Sequence, residues 1–423
     1  MLRRLFIFCC FLSFACASPV KEDQFFLENL LKQNLDQFES ILTNDSLEVQ
    51  IIYTQINRDS INRPKFTSFY YRLDSTHYFY PASTIKLPQV LLALEKINEL
   101  RSQGIKIDKY TPMFHDSIYE GQHSVKWDTT AIDSLPTIAH YAKKILVVSD
   151  NDAFNRLYEF LGQKATNEIL TRKGYNVKFL HRLDRSLTPD QNRHTEAIRF
   201  VRNDSLIFQQ PMLINKDSIM PVRKNFKGIG FMKKDSLINM PFDFTYKNSY
   251  PLVEQQEILK AILFPNSVPS TKRFNLTEED RNFVLQYMSQ LPAETSNPPY
   301  NQDTTLHDAY CKFLMFGEEK ESIPKNIRIF NKVGDAYGYL IDNAYIVDFE
   351  NGVEFMLSAV INTNTDGIYN DGKYEYKTIG YPFMKNLGQV IYNYELKRRK
   401  KFKPNLKEFV FKYDSLIVSL KKP

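Results

Sequence analysis

The order of strand-like and helix-like segments is the feature that most constrains the fold of this chain. The segments 47–56 and 65–73 carry the β-branched and aromatic residues that are typical of strands. The segments 326–332, 344–349 and 353–362, near the other end, have the same character. Strands joined by short connections pair antiparallel. We therefore predict an α+β fold in which the first two strands join the last three in one five-stranded antiparallel sheet.

Helical periodicity accounts for most of the remaining chain. The first and last predicted helices, 25–42 and 378–396, are amphipathic and are expected to cover a face of the sheet. The other predicted helices lie in the middle of the chain, at 84–103, 138–148, 153–161, 163–173, 254–264 and 277–291. The segment 192–250 mixes short strand-like pieces with polar turns. The pattern predicts an all-helical lobe beside the sheet.

Residues 1–17 have the pattern of an export signal. Arg3 and Arg4 precede an apolar segment, 5–15, that is too short to span a bilayer, and Ala15-Cys16-Ala17 fits a cleavage site. Alternatively, Cys16 carries a lipid, as in bacterial lipoproteins. We expect a periplasmic protein, and the sequence leaves open whether it is soluble or lipid-anchored.

Composition excludes several classes of protein. The net charge of +6 over 423 residues requires no nucleic-acid partner, and the seven histidines show no metal-binding spacing. The only cysteine outside the signal region is Cys311, so no disulfide framework is expected. No Walker A, G-x-G-x-x-G or G-x-S-x-G motif is present. We therefore predict no metal and no cofactor.

A candidate nucleophile lies at the predicted start of the 84–103 helix. Ser83 and Lys86 are three residues apart, so on a helix they share one face. A serine hydroxyl needs a neighbouring base, and a lysine amine becomes one when its pKa is lowered. Alone, this short pattern is weak evidence for catalysis.

Two further short motifs carry candidate site residues. Ser149-Asp150-Asn151 falls between two predicted helices, where it could also be a simple capping turn. Lys332-Val333-Gly334 falls at the end of a predicted strand, followed by Asp335, where Lys332 could equally be an exposed lysine. Taken alone, each motif fits the structural interpretation better.

The order of the three motifs changes this interpretation. S-x-x-K, S-D-N and K-T-G occur in this order in class A β-lactamases and penicillin-binding proteins. The chain resembles the class A β-lactamase family in these motifs, in Arg182-Leu183-Asp184-Arg185, which is similar to the entry of the family's omega loop, and in the helix start at Thr277 with Arg281. The resemblance extends over 49–392, except for 192–250, which has the position of an insertion after the omega loop.

The resemblance implies a β-lactamase-like domain over 25–396 and a role for each site residue. Ser83 would form the acyl-enzyme, Lys86 would accept its proton and Ser149 would pass a proton to the leaving nitrogen. Asn151, Lys332, Gly334 and Asp335 would bind substrate, with backbone N–H groups of Ser83 and Asp335 as the oxyanion hole. The substrate would be a small-molecule β-lactam antibiotic or another acyl compound, and we expect a monomer.

Two departures from the family weaken the prediction of efficient turnover. Val333 replaces a residue with a hydroxyl, and Leu187 falls where the resemblance places the deacylating glutamate. Asp190 is the nearest downstream carboxylate. We therefore predict a serine hydrolase with slow deacylation. The alternatives are a penicillin-binding-like or other amide or ester hydrolase, and a non-catalytic binding protein on the same fold.

The chain ends in a basic extension, 397–423. It opens with five consecutive basic residues, 397–401. We expect this run to be a solvated helix end, with contact to anionic headgroups as the weaker alternative.

Overall fold

The computed structural model describes residues 25–217, 219 and 223–414. The predicted export signal, with Cys16, lies outside the described residues. Within the described ranges, no helix is both long enough and apolar enough to cross a membrane.

The strands of the described chain comprise one large sheet and several short pieces. They are β1 Gln50–Arg58, β2 Pro64–Tyr71, β3 Met113–Asp116, β4 Ala197–Arg202, β5 Ser205–Gln210, β6 Phe226–Lys227, β7 Gly230–Lys233, β8 Ser236–Ile238, β9 Phe242–Asp243, β10 Ile327–Ala336, β11 Tyr339–Asp348, β12 Val353–Asn362 and β13 Ile368–Tyr369.

The helices lie before the sheet strands, between them and after them. They are α1 Phe26–Lys32, α2 Leu35–Thr43, α3 Lys86–Ser102, α4 Ile138–Val148, α5 Asn151–Leu161, α6 Gln163–Arg172, α7 Pro189–Arg193, α8 Leu252–Leu263, α9 Glu278–Ser289, the short α10 Phe313–Phe316 and α11 Tyr381–Lys397.

The predicted α+β fold with a five-stranded antiparallel sheet is confirmed. The strand order is β10-β11-β12-β1-β2, so the first two strands pair with the last three. β1 is the strand that joins the two groups, since Tyr53 pairs with Leu357 on one side and with Phe69 on the other. The two ends of the chain are therefore held together by backbone hydrogen bonds.

The sheet separates two apolar clusters. One face packs against α1, α2 and α11 through residues such as Leu31, Phe38 and Leu387. The other face packs against the helical lobe, in which Leu91 of α3, Phe154 of α5 and others are fully buried. The expected lobe is present on the face of the sheet that also carries Lys332, but it is not all-helical, because Met113 of β3 and Phe200 of β4 are buried in its apolar cluster.

Several element boundaries differ from the prediction; the strand predicted at 344–349, for example, is β11, which begins at Tyr339. The predicted helix 25–42 is interrupted at Asn34, whose side-chain amide donates to the carbonyl of Leu30 at 2.8 Å and so competes with the helical bonds. The strand predicted to end at Lys332 continues to Ala336, because the residues after Lys332 keep pairing with β11. Lys332 therefore lies inside a strand, not at its end.

The segment 192–250 is built from short strands that attach to other parts of the fold. β4 pairs with β3 and β5, while β7 pairs with β8 and, in parallel, with β13. The last of these contacts ties the segment to the chain that follows the sheet.

The basic run after α11 is not a freely solvated helix end. Arg398 and Lys400 form ion pairs with Glu395, whose side chain is fully buried. Farther along, Phe409 is fully buried against the rings of Phe264 and Tyr345. Part of the predicted extension thus belongs to the folded core.

Candidate active site

The predicted nucleophile lies on a tight turn that leads into α3. Residues Ala82–Ile85 form a 3-10 turn, and α3 begins at Lys86. Thr84 stabilises the turn because its hydroxyl donates to the carbonyl of Pro81 at 2.6 Å. Ala82 has a φ of 47°, an uncommon value for a residue with a side chain. Such strained positions occur where the surrounding structure holds them.

Gly334 allows β10 to lie directly against this turn. A Cβ atom at residue 334 would lie 2.8 Å from the backbone nitrogens of Ser83 and Thr84 and 2.9 Å from the carbonyl oxygen of Pro81. These are backbone atoms of a packed turn, so they cannot move away cheaply. The glycine is required for this close approach, which brings Asp335 next to Ser83.

Lys86 is buried at the base of the site and has only neutral hydrogen-bond partners. Its amine donates to Asn151 Oδ1 at 2.6 Å, to the backbone carbonyl of Ser149, and to Ser149 Oγ at 3.3 Å. Burial lowers the pKa of Lys86 well below its ordinary value, and the charge of nearby Lys332 lowers this pKa further. A lysine with a lowered pKa is available as a neutral base.

The hydroxyl of Ser149 lies between two lysines. Lys332 donates to Ser149 Oγ at 2.8 Å and to the carbonyl of Val333 at 2.9 Å. Burial lowers the pKa of Lys332 to about 8. Ser149 itself ends α4 in the left-handed region, with a φ of 62°. This conformation places its carbonyl and its hydroxyl within reach of the Lys86 amine.

The neighbouring residues of the Ser149 turn have separate structural roles. Asp150 caps α5, since its carboxylate accepts from the backbone N–H of Ala153 at 2.7 Å. Asn151 is the first residue of α5, and its side chain contacts Lys86. A helix cap therefore orients the asparagine that binds the lysine.

A cavity of about 470 Å³ opens onto Ser83. Its wall consists of Tyr80, Ala82, Ser83, Asn151, Leu183, Asp184, Asp335, Ala336, Tyr337, Asn370, Gly372 and Tyr374. Of the predicted site residues, Ser83, Asn151 and Asp335 thus line the cavity. Of the others, Lys86 contacts Asn151, Gly334 lies against the backbone of Ser83, and Lys332 contacts Ser149.

Leu183 is the apolar residue of the omega-loop segment that lines this cavity. Asn155 of α5 holds its backbone on both sides, donating to the carbonyl of Leu183 at 2.9 Å and accepting from its N–H at 3.0 Å. Arg182 fixes the preceding residue through a buried bidentate ion pair with Glu159, at 2.5 and 2.7 Å. The segment is therefore held rigidly against α5.

The two residues that the sequence singled out farther along this segment do not line the Ser83 cavity. Leu187 lies beside Gly121 and borders two neighbouring cavities. Asp190 accepts a hydrogen bond from the hydroxyl of Tyr119 at 2.5 Å, and Tyr119 stacks on His194. The residues of this segment that line the cavity, Leu183 and Asp184, thus come earlier in the chain than the position assigned from the resemblance.

The side chain of Val333 does not lie at the substrate side of β10, where the resemblance places a hydroxyl group. Its side chain is buried in the apolar cluster beneath α1, α2 and α11, on the opposite face of β10 from Lys332.

Sequence reasoning missed the aromatic wall of the cavity. Tyr80 precedes the nucleophile turn, Tyr337 occupies the two-residue turn between β10 and β11, and Tyr374 lies in the chain after β13. Only Tyr80 belongs to a segment that the motifs had identified. Tyr337 lies just after the Lys332-Val333-Gly334 motif and Tyr374 lies far from any motif, so their convergence on Ser83 is visible only in three dimensions.

Comparison with protein-family models tests the resemblance independently. Residues 36–204 match the model of a beta-lactamase enzyme family. The resemblance to β-lactamases that the motifs indicated is confirmed over these residues. The matched range contains Ser83, Lys86, Ser149 and Asn151, but it ends before Lys332. It also includes the first part of the segment 192–250. No curated protein gives a significant match.

Several solved structures are similar to this chain. A beta lactamase from Xanthomonas campestris pv. campestris is 13% identical, with a TM-score of 0.46, over 86% of this chain and 98% of that one. A beta-lactamase from Sphaerobacter thermophilus is 10% identical, with a TM-score of 0.45, over 88% and 98%. PBP-A is 16% identical, with a TM-score of 0.45, over 87% and 96%. No functional statement about this chain follows from likenesses this distant.

Proposed function

We propose that this protein is an exported serine hydrolase of the β-lactamase type that forms an acyl-enzyme on Ser83. The observation that carries the proposal is the buried network in which Lys86 and Lys332 both donate to the hydroxyl of Ser149, while Asn151, which binds Lys86, lines the same cavity as Ser83. Two buried lysines without carboxylate partners are costly to keep in a fold. A proton-transfer role explains why they share one acceptor.

The chemistry follows from the positions of these groups. Ser83 Oγ attacks the substrate carbonyl carbon, and its proton passes to the neutral amine of Lys86. Ser149 gives its proton to the leaving nitrogen and is resupplied by the lysines that contact it. Backbone N–H groups of Ser83 and Asp335, on the turn and the strand that Gly334 brings together, stabilise the oxyanion. Lys332 supplies positive charge toward the substrate.

The apolar surface of Leu183 supports slow release of the acyl group. Hydrolysis of an acyl-enzyme requires a water activated by a base. Leucine neither accepts a proton nor orients a water. The two carboxylates that line the cavity, Asp184 and Asp335, make no hydrogen bond to another described residue that would orient them toward such a water. This favours a penicillin-binding-like enzyme with a long-lived adduct as the second candidate.

Mass spectrometry after mixing the purified protein with a β-lactam or an activated acyl ester tests the proposal. We expect one covalent adduct, mapped to Ser83. Ser83→Ala should abolish it, and Lys86→Ala should slow its formation by about 10² to 10⁴, the usual range for acid–base assistance.

Two controls separate chemistry from general damage to α3. Ser102→Ala, at the end of the helix, and Lys96→Met, whose amine instead bonds Phe160 O and Gln210, should keep the adduct. An adduct that persists in Ser83→Ala, or that maps to another residue, would overturn the assignment. Absence of any adduct with every acyl probe would favour a binding protein.

The cellular location of the protein is a separate part of the proposal. We propose a periplasmic location, with either a free terminus at Ser18 or a lipid on Cys16. Fractionation and the mass of the mature N-terminus distinguish the two forms. Recovery of the full-length chain from the cytoplasm would contradict both.

A further inference from the structure

The charge of the cavity wall is the first observation that bears on the substrate. Among the described residues that line the cavity, the ionisable groups of acidic type are Asp184 and Asp335, and none is a lysine or an arginine. Both aspartates are exposed toward the cavity. The wall around Ser83 is therefore acidic, although the protein as a whole carries a net charge of +6.

These two carboxylates have no direct partner among the described residues, although the charges of Lys332 and Lys86 act on Asp335. Neither forms an ion pair or accepts a side-chain hydrogen bond from another described residue. Neighbouring acids behave differently: Asp150 caps α5, and Asp152 pairs with Arg156 at 3.1 Å. Unpaired carboxylates in a concave wall leave a local negative potential, which attracts cations.

The aromatic residues of the cavity wall also favour binding of a cation. Tyr80, Tyr337 and Tyr374 line the cavity together with the two aspartates. Tyr80 and Tyr337 pack edge to face, with centroids 5.0 Å apart and planes at 88°. Aromatic faces beside carboxylates form the environment that binds ammonium groups, in particular quaternary ones.

The segment 192–250 holds this wall in place. Phe242 and Phe244 contact the ring of Tyr337, with centroids 5.7 and 5.3 Å away. β7 pairs with β13, directly before the chain that carries Asn370 and Tyr374. The inserted segment thus has a role in shaping the cavity.

The nearby lysines of the described chain do not form hydrogen bonds or ion pairs with these two aspartates. Lys86 and Lys332 lie beneath the cavity and donate to Ser149, Asn151 and Val333. Lys247 lies 5.8 Å from the centroid of Tyr337 and borders the two neighbouring cavities instead. Lys247 therefore already contributes one cation near the ring of Tyr337.

We propose that the cavity selects acyl substrates that carry an ammonium group, which Asp184, Asp335 and the three tyrosines bind while Ser83 attacks the carbonyl. This rests on the proposed function and adds the substrate class. An acyl chain that ends in a carboxylate should bind this wall less well, whereas a carboxylate elsewhere on the substrate can still meet the positive charge of Lys332.

Three matched para-nitrophenyl esters test the proposal. Their acyl chains have equal length and end in a trimethylammonium group, in a tert-butyl group of the same shape, or in a carboxylate. In each reaction the bond from Ser83 Oγ to the acyl carbon forms, the bond to nitrophenolate breaks, and the serine proton goes to Lys86. We expect acylation at pH 8 to be about 10-fold faster for the ammonium ester than for its neutral isostere, and slowest for the carboxylate.

Variants identify the residues responsible. Asp184→Asn combined with Asp335→Asn should bring the ammonium-to-neutral rate ratio close to one. Tyr337→Leu should lower it in part. Asp190→Asn is the matched control, because this aspartate lies on the same segment but faces Tyr119. High salt should also reduce the ratio, since it screens exposed charges.

Binding is measured separately from acylation, so that failure of the ammonium preference can be distinguished from failure of the proposed Ser83 chemistry. In Ser83→Ala, calorimetry with the corresponding unreactive amides should show tighter binding of the ammonium form by about 10-fold. Equal acylation rates and equal binding would overturn the ammonium preference while leaving Ser83 catalysis intact. Ammonium-selective binding without any Ser83 acylation would instead overturn the proposed function alone.

Discussion

At the scale of single residues, Lys86 shows how burial converts an ordinary lysine into a candidate base. Its amine has three oxygen acceptors but no carboxylate, and the charged neighbour Lys332 repels its protonated form. Burial of the amine and the charge of Lys332 both favour the neutral form, so the pKa of Lys86 is lowered.

This lowered pKa predicts the pH dependence of acylation. The neutral amine is the active form, so the acylation rate should rise with pH and reach its plateau below the range of an ordinary lysine. Lys332→Gln removes a repelling charge, which should raise the pKa of Lys86 and move the profile to higher pH. Stopped-flow acylation rates across pH measure both midpoints. Lys96→Met is the control, and a midpoint that moves to lower pH in Lys332→Gln would contradict the argument.

Leu183 leads to a second prediction at this scale. Leu183→Glu places a carboxylate on the Ser83 cavity and should convert a burst of one product per enzyme into turnover, with deacylation faster by about 10² or more. Leu183→Gln has the same shape without a base and should keep the burst. Leu187→Glu, outside the cavity, should also keep it. Pre-steady-state kinetics with a chromogenic β-lactam distinguishes these results.

Other outcomes of that experiment are informative. Rapid turnover by the unmodified protein that is lost in Asp184→Asn would identify Asp184 as the base. The same loss in Asp190→Asn would require the α7 segment to move, because Asp190 faces Tyr119 in this structure.

At the scale of elements, the site depends on the contact between β10 and the nucleophile turn. Gly334→Ala would force a Cβ into backbone atoms of Ser83, Thr84 and Pro81. We expect a loss of stability of about 1 to 3 kcal/mol, which is typical of overpacking, and a loss of acylation larger than the unfolded fraction explains. Denaturant unfolding and adduct formation measure the two effects.

Gly230→Ala is the matched control for this element. It also lies in a strand, but its added Cβ would first meet the flexible side chain of Leu237 at 3.2 Å. It should fold and acylate normally. Normal acylation by Gly334→Ala would show that the close approach is unnecessary for the chemistry.

At the scale of the whole molecule, the segment after α11 closes the core. Phe409 is fully buried against Phe264, Phe330 and Tyr345, on the sheet face that packs against the helical lobe. Phe409→Ala should therefore cost about 3 to 5 kcal/mol of unfolding free energy.

Val410 provides the comparison for that prediction. It is the next residue but is 63% exposed, so Val410→Ala should change the unfolding free energy by less than about 0.5 kcal/mol. Thermal or denaturant unfolding measures both variants. Similar small effects would mean that the C-terminal segment is an appendage after all.

The sequence by itself determined the α+β class, the strands that pair and the residues of the three motifs. Periodicity and turn chemistry are local properties, and they correctly located α4 and the helix start at Thr277. The order of the three motifs linked Ser83, Ser149 and Lys332 across the chain, because this order can be seen in the sequence alone.

Only the tertiary structure decided which residues face the cavity. Leu183 rather than Leu187 lines it, because Asn155, on a helix distant in sequence, clamps the Leu183 backbone. Tyr337 reaches the wall because β10 continues past Lys332 into a two-residue turn. Such placements depend on contacts between elements that are distant in sequence, and these contacts cannot be predicted from the spacing of residues within one segment.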